Sequence, residues 1–214
     1  MDMAQMNSGM ASRTRAIAFI GLTIAITAIS AWVTVPIGPV PFTLQMFAVT
    51  FAVVVLTPRE AIASIAGYLA LGAVGVPVFS GMRGGIGVLA GPTGGFLWGY
   101  LFGVAAAVLL LYVVRTRTNW DAVSASPDFD ALNLSLPSPV ARFVRFMRIA
   151  GIEVAAGMLF TGIAYVCGWA QFMAVTGATP EVAFMTCIAP FIAVDFIKIL
   201  AAVVCARAVR AAVR

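Results

Sequence analysis

Apolar residues run along this chain in six blocks, each closed by arginine, proline, glycine or a short polar stretch. The first, Ala16–Val35, follows Arg13 and Arg15. At about 20 residues it is long enough for a helix to cross ~30 Å of hydrocarbon. It is longer than a signal-peptide core and shows no convincing cleavage site, so it reads as a retained helix. Pro36, Pro39 and Pro41 cannot continue it. Phe42–Leu56 is the second block. Thr57-Pro58-Arg59-Glu60 then reads as a helix start, with Thr57 as N-cap, Pro58 at the first helical position and Glu60 completing a capping box. It opens the third block, Glu60–Val76. A glycine-rich loop, Pro77–Gly95, leads to the fourth, Phe96–Val114, which stops at Arg115 and Arg117. The fifth, Phe146–Val166, lies behind Arg142, Arg145 and Arg148. Thr179-Pro180-Glu181 repeats the Thr-Pro start, and the sixth block ends near Arg207 and Arg210.

This pattern predicts an all-α membrane protein, a bundle of six transmembrane helices forming one integral membrane domain over residues 1–214. Residues 1–12 are expected to be a flexible N-terminal tail. Residues 116–141 are polar, carry Asp121, Asp128 and Asp130 among serines and prolines, and show no periodicity. They read as a cytoplasmic linker between the fourth and fifth helices.

Composition agrees: the chain is 62% hydrophobic and 10% charged, with a mean hydropathy of +1.05, far outside the soluble range. Its net charge of +5 would suit a nucleic-acid binder, but the arginines are spread over helix ends rather than gathered in one patch. They follow the positive-inside rule instead. With both termini cytoplasmic, the inner side collects Arg13, Arg15, Arg59, Arg115, Arg117, Arg142, Arg145, Arg148, Arg207, Arg210 and Arg214, while Arg83 alone falls outside. The glycine-rich loop between the third and fourth helices therefore faces outward. Histidine is absent, which removes the commonest metal ligand and general base. Cys167, Cys187 and Cys205 show no CxxC spacing and read as buried thiols acting as small apolar side chains. No metal site or cofactor is expected.

The candidate chemistry is a pair of opposite charges inside the last span. Asp195 and Lys198 are three apart and share a helix face. They lie about 18 and 14 Å from the cytoplasmic end at Arg207, at 1.5 Å per residue. Each costs roughly 2.5–3.5 kcal/mol to insert at that depth, so function is the expected reason for keeping them. Pro190 should bend the helix just before them, and irregular backbone at depth goes with a cavity. In the loop, Gly81 through Gly95 leaves room for backbone amides to approach a ligand. Gly85-Ile86-Gly87-Val88-Leu89-Ala90 matches a dinucleotide fingerprint by letters only, without a βαβ context. The loop has no P-loop Gly-Lys-Ser/Thr. Small residues Ala18, Gly21, Ala25 and Ala28 form a stripe on the first helix, suited either to internal packing or to docking another membrane subunit.

Three segments resemble the BioY family, the biotin-binding S components of energy-coupling factor (ECF) transporters. They are Pro36-Ile37-Gly38-Pro39-Val40-Pro41-Phe42-Thr43-Leu44-Gln45, the run from Pro77-Val78-Phe79-Ser80-Gly81 to Gly91-Pro92-Thr93-Gly94-Gly95-Phe96, and Asp195-Phe196-Ile197-Lys198. The likeness covers about residues 13–210 and is weakest over 116–141. It implies a multi-pass protein of the bacterial cell membrane that captures biotin from outside, with a transmembrane coupling (T) subunit and a pair of ATP-binding cassette ATPases driving release inward. It gives the small-residue stripe a docking role and makes Asp195 and Lys198 ligand residues. Arg83 departs from the family pattern, which has Asn or another small polar residue there. On this reading Asp195 accepts from a ureido N–H, Lys198 donates to the ureido carbonyl, and Phe79, Phe96, Trp98 or Tyr100 packs on the rings. Arg83 or the amides of Gly84 and Gly85 meet the carboxylate, and Thr43 and Gln45 add polar contacts. The rival reading is an ion-coupled secondary transporter of a small polar metabolite, with Glu153 nominated beside Asp195, although Glu153 is more simply an interfacial acid that reaches headgroups or an arginine. No catalytic constellation is visible, so an enzyme is not expected.

Overall fold

The computed structural model describes the backbone of residues 3–36, 38–117 and 138–212 and the side chains of 13–36, 38–117 and 150–212. The expected linker falls almost wholly on residues 118–137, outside the described residues, as do the side chains of the expected tail. Eight helices are described: α1 Met3–Trp32, α2 Gln45–Val55, α3 Pro58–Ala73, α4 Ile86–Ala90, α5 Gly94–Arg117, α6 Ser138–Thr176, α7 Pro180–Cys187 and α8 Ile192–Ala212. Between α1 and α2 the chain makes a small antiparallel ladder, β1 Thr34–Val35 with β2 Phe42–Thr43, pairing Thr34 with Thr43 and Val35 with Phe42. This hairpin takes up the prolines and shortens the second apolar block to an 11-residue helix.

Among the described residues, three helices are long and apolar enough to cross a membrane: Arg13–Trp32, Gly94–Arg117 and Ala150–Thr176. The pair α7 and α8, bent by 44°, makes a fourth if taken as one broken span. The capping box before α3 is present, with Thr57 accepting from the Glu60 amide and Glu60 accepting from the Thr57 amide. Thr179 caps α7 in the same way, through the Val182 amide.

Two ends of the bundle can be told apart by their contacts. At one, Trp32 Nε1 donates to the Pro77 carbonyl and Gln171 of α6 donates to the carbonyls of Leu89 and Gly91, both at 2.8 Å. This is the loop end. At the other, Glu153 of α6 binds Arg207 Nε at 2.7 Å and Arg210 at 3.1 Å, and Arg210 also donates to the Val54 carbonyl that ends α2. Glu153 is thus a buried strut between α6 and α8, which answers its nomination as a coupling acid.

The closest helix packing is between α5 and α6, and glycine makes it possible. Gly95, Gly99 and Gly103 are one turn apart and face Cys167, Ala164 and Phe160 in turn. A Cβ at Gly99 would lie 2.6 Å from Ala164 Cα. Small residues let two helices approach where lipid supplies no hydrophobic drive for their association.

Candidate functional site

The break between α7 and α8 builds the floor of the site. Pro190 lies in it, the helix restarts at Ile192, and Asp195 sits in the first turn of the new helix. A carboxylate is favoured there by the unpaired amides and dipole of the helix N-terminus. Lys198, one turn on, donates to Asp195 Oδ1 at 2.7 Å and to the Thr43 carbonyl at 2.7 Å. Its Nζ also lies 3.7 Å from the centre of the Phe42 ring, a cation–π contact. The second carboxylate oxygen, Oδ2, accepts from the Tyr165 hydroxyl of α6 at 2.6 Å. Asp195 and Lys198 are 4% and 7% exposed, so the pair is deeply buried, yet each ion has its partner and one further hydrogen bond, the condition under which buried ions persist.

These charges are not sealed in. They form part of the wall of a cavity of about 640 Å³, its open mouth included. Phe79, Phe96, Tyr100, Tyr165 and Phe191 give it aromatic sides, and Val40 and Pro41 of the hairpin, with Ser80, Arg83 and Thr93, reach it from the loop end. A mostly apolar cleft with a few convergent polar groups suits one small organic ligand.

Of the residues singled out from sequence, Asp195, Lys198, Thr43, Gln45, Phe79 and Arg83 all border this cavity. Thr43 contributes through its carbonyl. Gln45 donates from Nε2 to the Tyr68 hydroxyl at 2.7 Å, which donates in turn to the Val78 carbonyl at 2.9 Å. This relay ties the start of α2 to the segment carrying Phe79. Arg83 is exposed, its Nε donating to the Ser80 carbonyl at 3.1 Å. The Ser80–Met82 turn beneath it closes with a bridge between Phe79 and Arg83, and Met82 takes a left-handed φ of 57°.

Gly84 and Gly85 are not brought to the cavity. The Gly85 amide is already bound to the Gly72 carbonyl at 2.6 Å, and its φ of 96° serves the turn. A side chain at Gly84 would run into the Gly75 and Val76 carbonyls. Gly85 therefore folds the loop rather than offering a free amide, and Gly84 is a position where a side chain does not fit. Trp98 points away from the cavity and is exposed. Cys187 is buried on the cavity wall, whereas Cys205 is exposed, against the expectation of a buried thiol.

The small-residue stripe divides. Ala28 is buried, but Ala18, Gly21 and Ala25 are exposed, and a Cβ at Gly21 would meet nothing within 4 Å. Internal packing of α1 uses Thr27, Ala28 and Ala31 instead.

Sequence reasoning missed Tyr165, Tyr68, Phe42 and Gln171. The usable signal was a polar atom in an apolar helix: a buried tyrosine hydroxyl or amide needs a partner, and these find theirs on Asp195, Val78, Leu89 and Gly91.

A family model described as the BioY family matches residues 3–214. The biotin transporter BioY of Thermotoga maritima is 44% identical over 90 residues, 42% of this chain and 53% of that protein. The probable biotin transporter BioY of Pyrococcus horikoshii is 28% identical over 194 residues, 91% of this chain and 95% of the relative. The matched segment thus spans about half of the Thermotoga protein and nearly all of the Pyrococcus one. The crystal structure of the S-component for biotin from an ECF-type ABC transporter aligns with a TM-score of 0.70 and 23% identity, over 94% of this chain and 93% of that one. That likeness is one of fold.

Proposed function

The chain belongs to the BioY family, and we propose that it is the membrane-embedded subunit that captures biotin from outside the cell for an ATP-driven transporter. It is a multi-pass membrane protein of a transporter family, not an enzyme. The observation that carries the proposal is the Asp195–Lys198 pair, joined at 2.7 Å in the wall of an aromatic cavity. Biotin is complementary to such a place. Its ureido group has two N–H donors and a carbonyl, its fused rings are apolar, and its tail ends in a carboxylate. Asp195 keeps lone pairs for a ureido N–H, and Lys198 is the nearby cation for the carbonyl, giving charge-assisted hydrogen bonds. Phe79, Phe96 and Phe191 cover the rings, and Arg83 at the loop end meets the carboxylate.

In this reading the bundle crosses the membrane six times, by α1, α2, α3, α5, α6 and the broken α7–α8. The 11-residue α2 is about 16 Å long at 1.5 Å per residue, so the hairpin before it completes that crossing. The arginine end is cytoplasmic with both termini and the 116–141 linker, the loop end and cavity mouth face out, and the membrane is the bacterial cell membrane. A transmembrane coupling subunit and ATP-binding cassette ATPases drive inward release. The exposed run of Ala18, Gly21 and Ala25 supports docking of the coupling subunit on α1.

Equilibrium binding to the detergent-purified protein tests the substrate. Biotin is expected to bind and riboflavin and thiamine not to. Binding of biotin no tighter than of the other two would refute the assignment.

A further inference from the structure

We infer that Tyr100 is a specificity-determining residue whose hydroxyl donates to the ureido carbonyl oxygen of the ligand. This rests on the reading of biotin as substrate and adds a contact to it. Tyr100 and Tyr165 border the cavity and Tyr68 packs against Phe79 of its wall, and two of the three have committed hydroxyls: Tyr68 donates to the Val78 carbonyl and Tyr165 to Asp195. Tyr100 is the exception. It is 5% exposed and borders the cavity alongside Asp195 and Tyr165. Its ring is held by packing against Phe160, centroids 5.6 Å apart. Yet its hydroxyl has no hydrogen-bond partner among the described residues, and it is not among the fully sealed side-chain oxygens that lack one, those of Thr50 and Thr161. The hydroxyl therefore opens into the cavity while its ring is locked in place.

The other deep polar groups already carry protein contacts, and a ureido carbonyl met by Lys198 keeps a second lone pair for another donor. Lys198 directs its Nζ toward Asp195, the Thr43 carbonyl and the face of Phe42. Asp195 holds Lys198 and Tyr165 on its two oxygens and can only accept further. Asp195 thus selects the N–H side of a ureido group, and the uncommitted donor on the same wall is the Tyr100 O–H. A cavity that offers a fixed donor to a carbonyl penalises any analogue that cannot accept it well, because the donor is then left buried without a partner.

Tyr100→Phe removes the oxygen and keeps the ring on Phe160. The test is the affinity of the purified parent and Tyr100→Phe for biotin and for 2-thiobiotin, in which sulfur, a weak acceptor, replaces the carbonyl oxygen. Tyr100→Phe is expected to weaken biotin by about tenfold and thiobiotin by less than about threefold, so that discrimination between them shrinks. If the parent binds biotin and Tyr100→Phe binds it within twofold, the inference is overturned and the substrate assignment stands. Equal loss for both ligands also overturns it, since that marks a structural role. A parent that binds no biotin overturns the substrate assignment and this contact with it.

Discussion

Replacing Lys198 with Met isolates what the buried charge pair does. The substitution keeps the length of the side chain and removes three interactions: the 2.7 Å bond to Asp195, the 2.7 Å bond to the Thr43 carbonyl, and the cation over Phe42. Asp195, 4% exposed, is left with only Tyr165 as a protein partner. At an effective dielectric of about 20, two unit charges 2.7 Å apart attract by roughly 332/(20 × 2.7), or about 6 kcal/mol, before desolvation is subtracted. Breaking such a pair from one side costs roughly 3–5 kcal/mol in net terms, because the remaining ion is buried without its partner. Removing both charges avoids that cost. Lys198→Met should therefore lower the thermal unfolding temperature in detergent, while the double variant Asp195→Asn with Lys198→Met should recover most of the loss. Binding should behave in the opposite way. Each charge-assisted hydrogen bond to the ligand is worth roughly 1.5–3 kcal/mol, or about tenfold to a hundredfold in Kd. The double variant should thus be stable and still fail to bind biotin at parental affinity. Calorimetric titration of biotin alongside thermal unfolding reads both quantities. A double variant that binds like the parent would falsify the assignment of the pair to the ligand. A single variant as stable as the parent would refute the electrostatic account of the floor.

Other predictions follow from the packing. Gly99→Leu drives a side chain into the α6 backbone at Ala164 and should cost roughly 3 kcal/mol or more in detergent stability. Gly21→Leu meets nothing and should leave stability and biotin affinity unchanged while lowering biotin uptake by cells that also make the coupling subunit and ATPases; undiminished uptake would count against docking through α1. Glu153→Gln removes the carboxylate charge between Arg207 and Arg210 and should destabilise by roughly 3 kcal/mol, the low end of the range for a buried pair since the Arg210 side chain is 33% exposed. Its biotin affinity should stay within threefold, because Glu153 lies twelve residues, about 18 Å, along α6 from Tyr165; a large loss of affinity with intact folding would revive the ion-coupled reading. Arg83→Ala should weaken biotin about fivefold and leave biotin methyl ester, which lacks the carboxylate, nearly unaffected, as expected for a solvent-accessible ion pair. Equal losses on both ligands would show that Arg83 does not meet the tail.

Much of this protein is legible in one dimension. Arginine spacing and apolar length mark the helices, and the Thr57–Glu60 capping box is local chemistry that forms wherever α3 begins. Pro190 announces the break before Asp195, and a lone acid and base one turn apart in an apolar block signal a site without any knowledge of the fold. The glycines were harder to read. The loop of Gly81–Gly95 suggests free amides, yet the Gly85 amide is consumed by Gly72, and Gly94 and Gly95 are needed for contact with α6. A glycine has no side chain to declare its purpose, so sequence cannot separate backbone exposed to a ligand from backbone pressed against another helix.

Local periodicity and the cost of charge in hydrocarbon are properties of short segments, and they suffice to mark apolar helices and to single out one charged pair as a candidate. Which groups meet those residues depends on chain positions far apart. The Thr43 carbonyl and Lys198 are 155 residues apart, and Tyr165 and Asp195 are 30 apart. Only when β2, α6 and α8 converge does a lone lysine acquire a carbonyl and an aromatic face, and only then is the Tyr100 hydroxyl left without a hydrogen-bond partner among the described residues. Hydrogen bonding is directional and short-ranged, so its partners are set by how the helices pack in three dimensions.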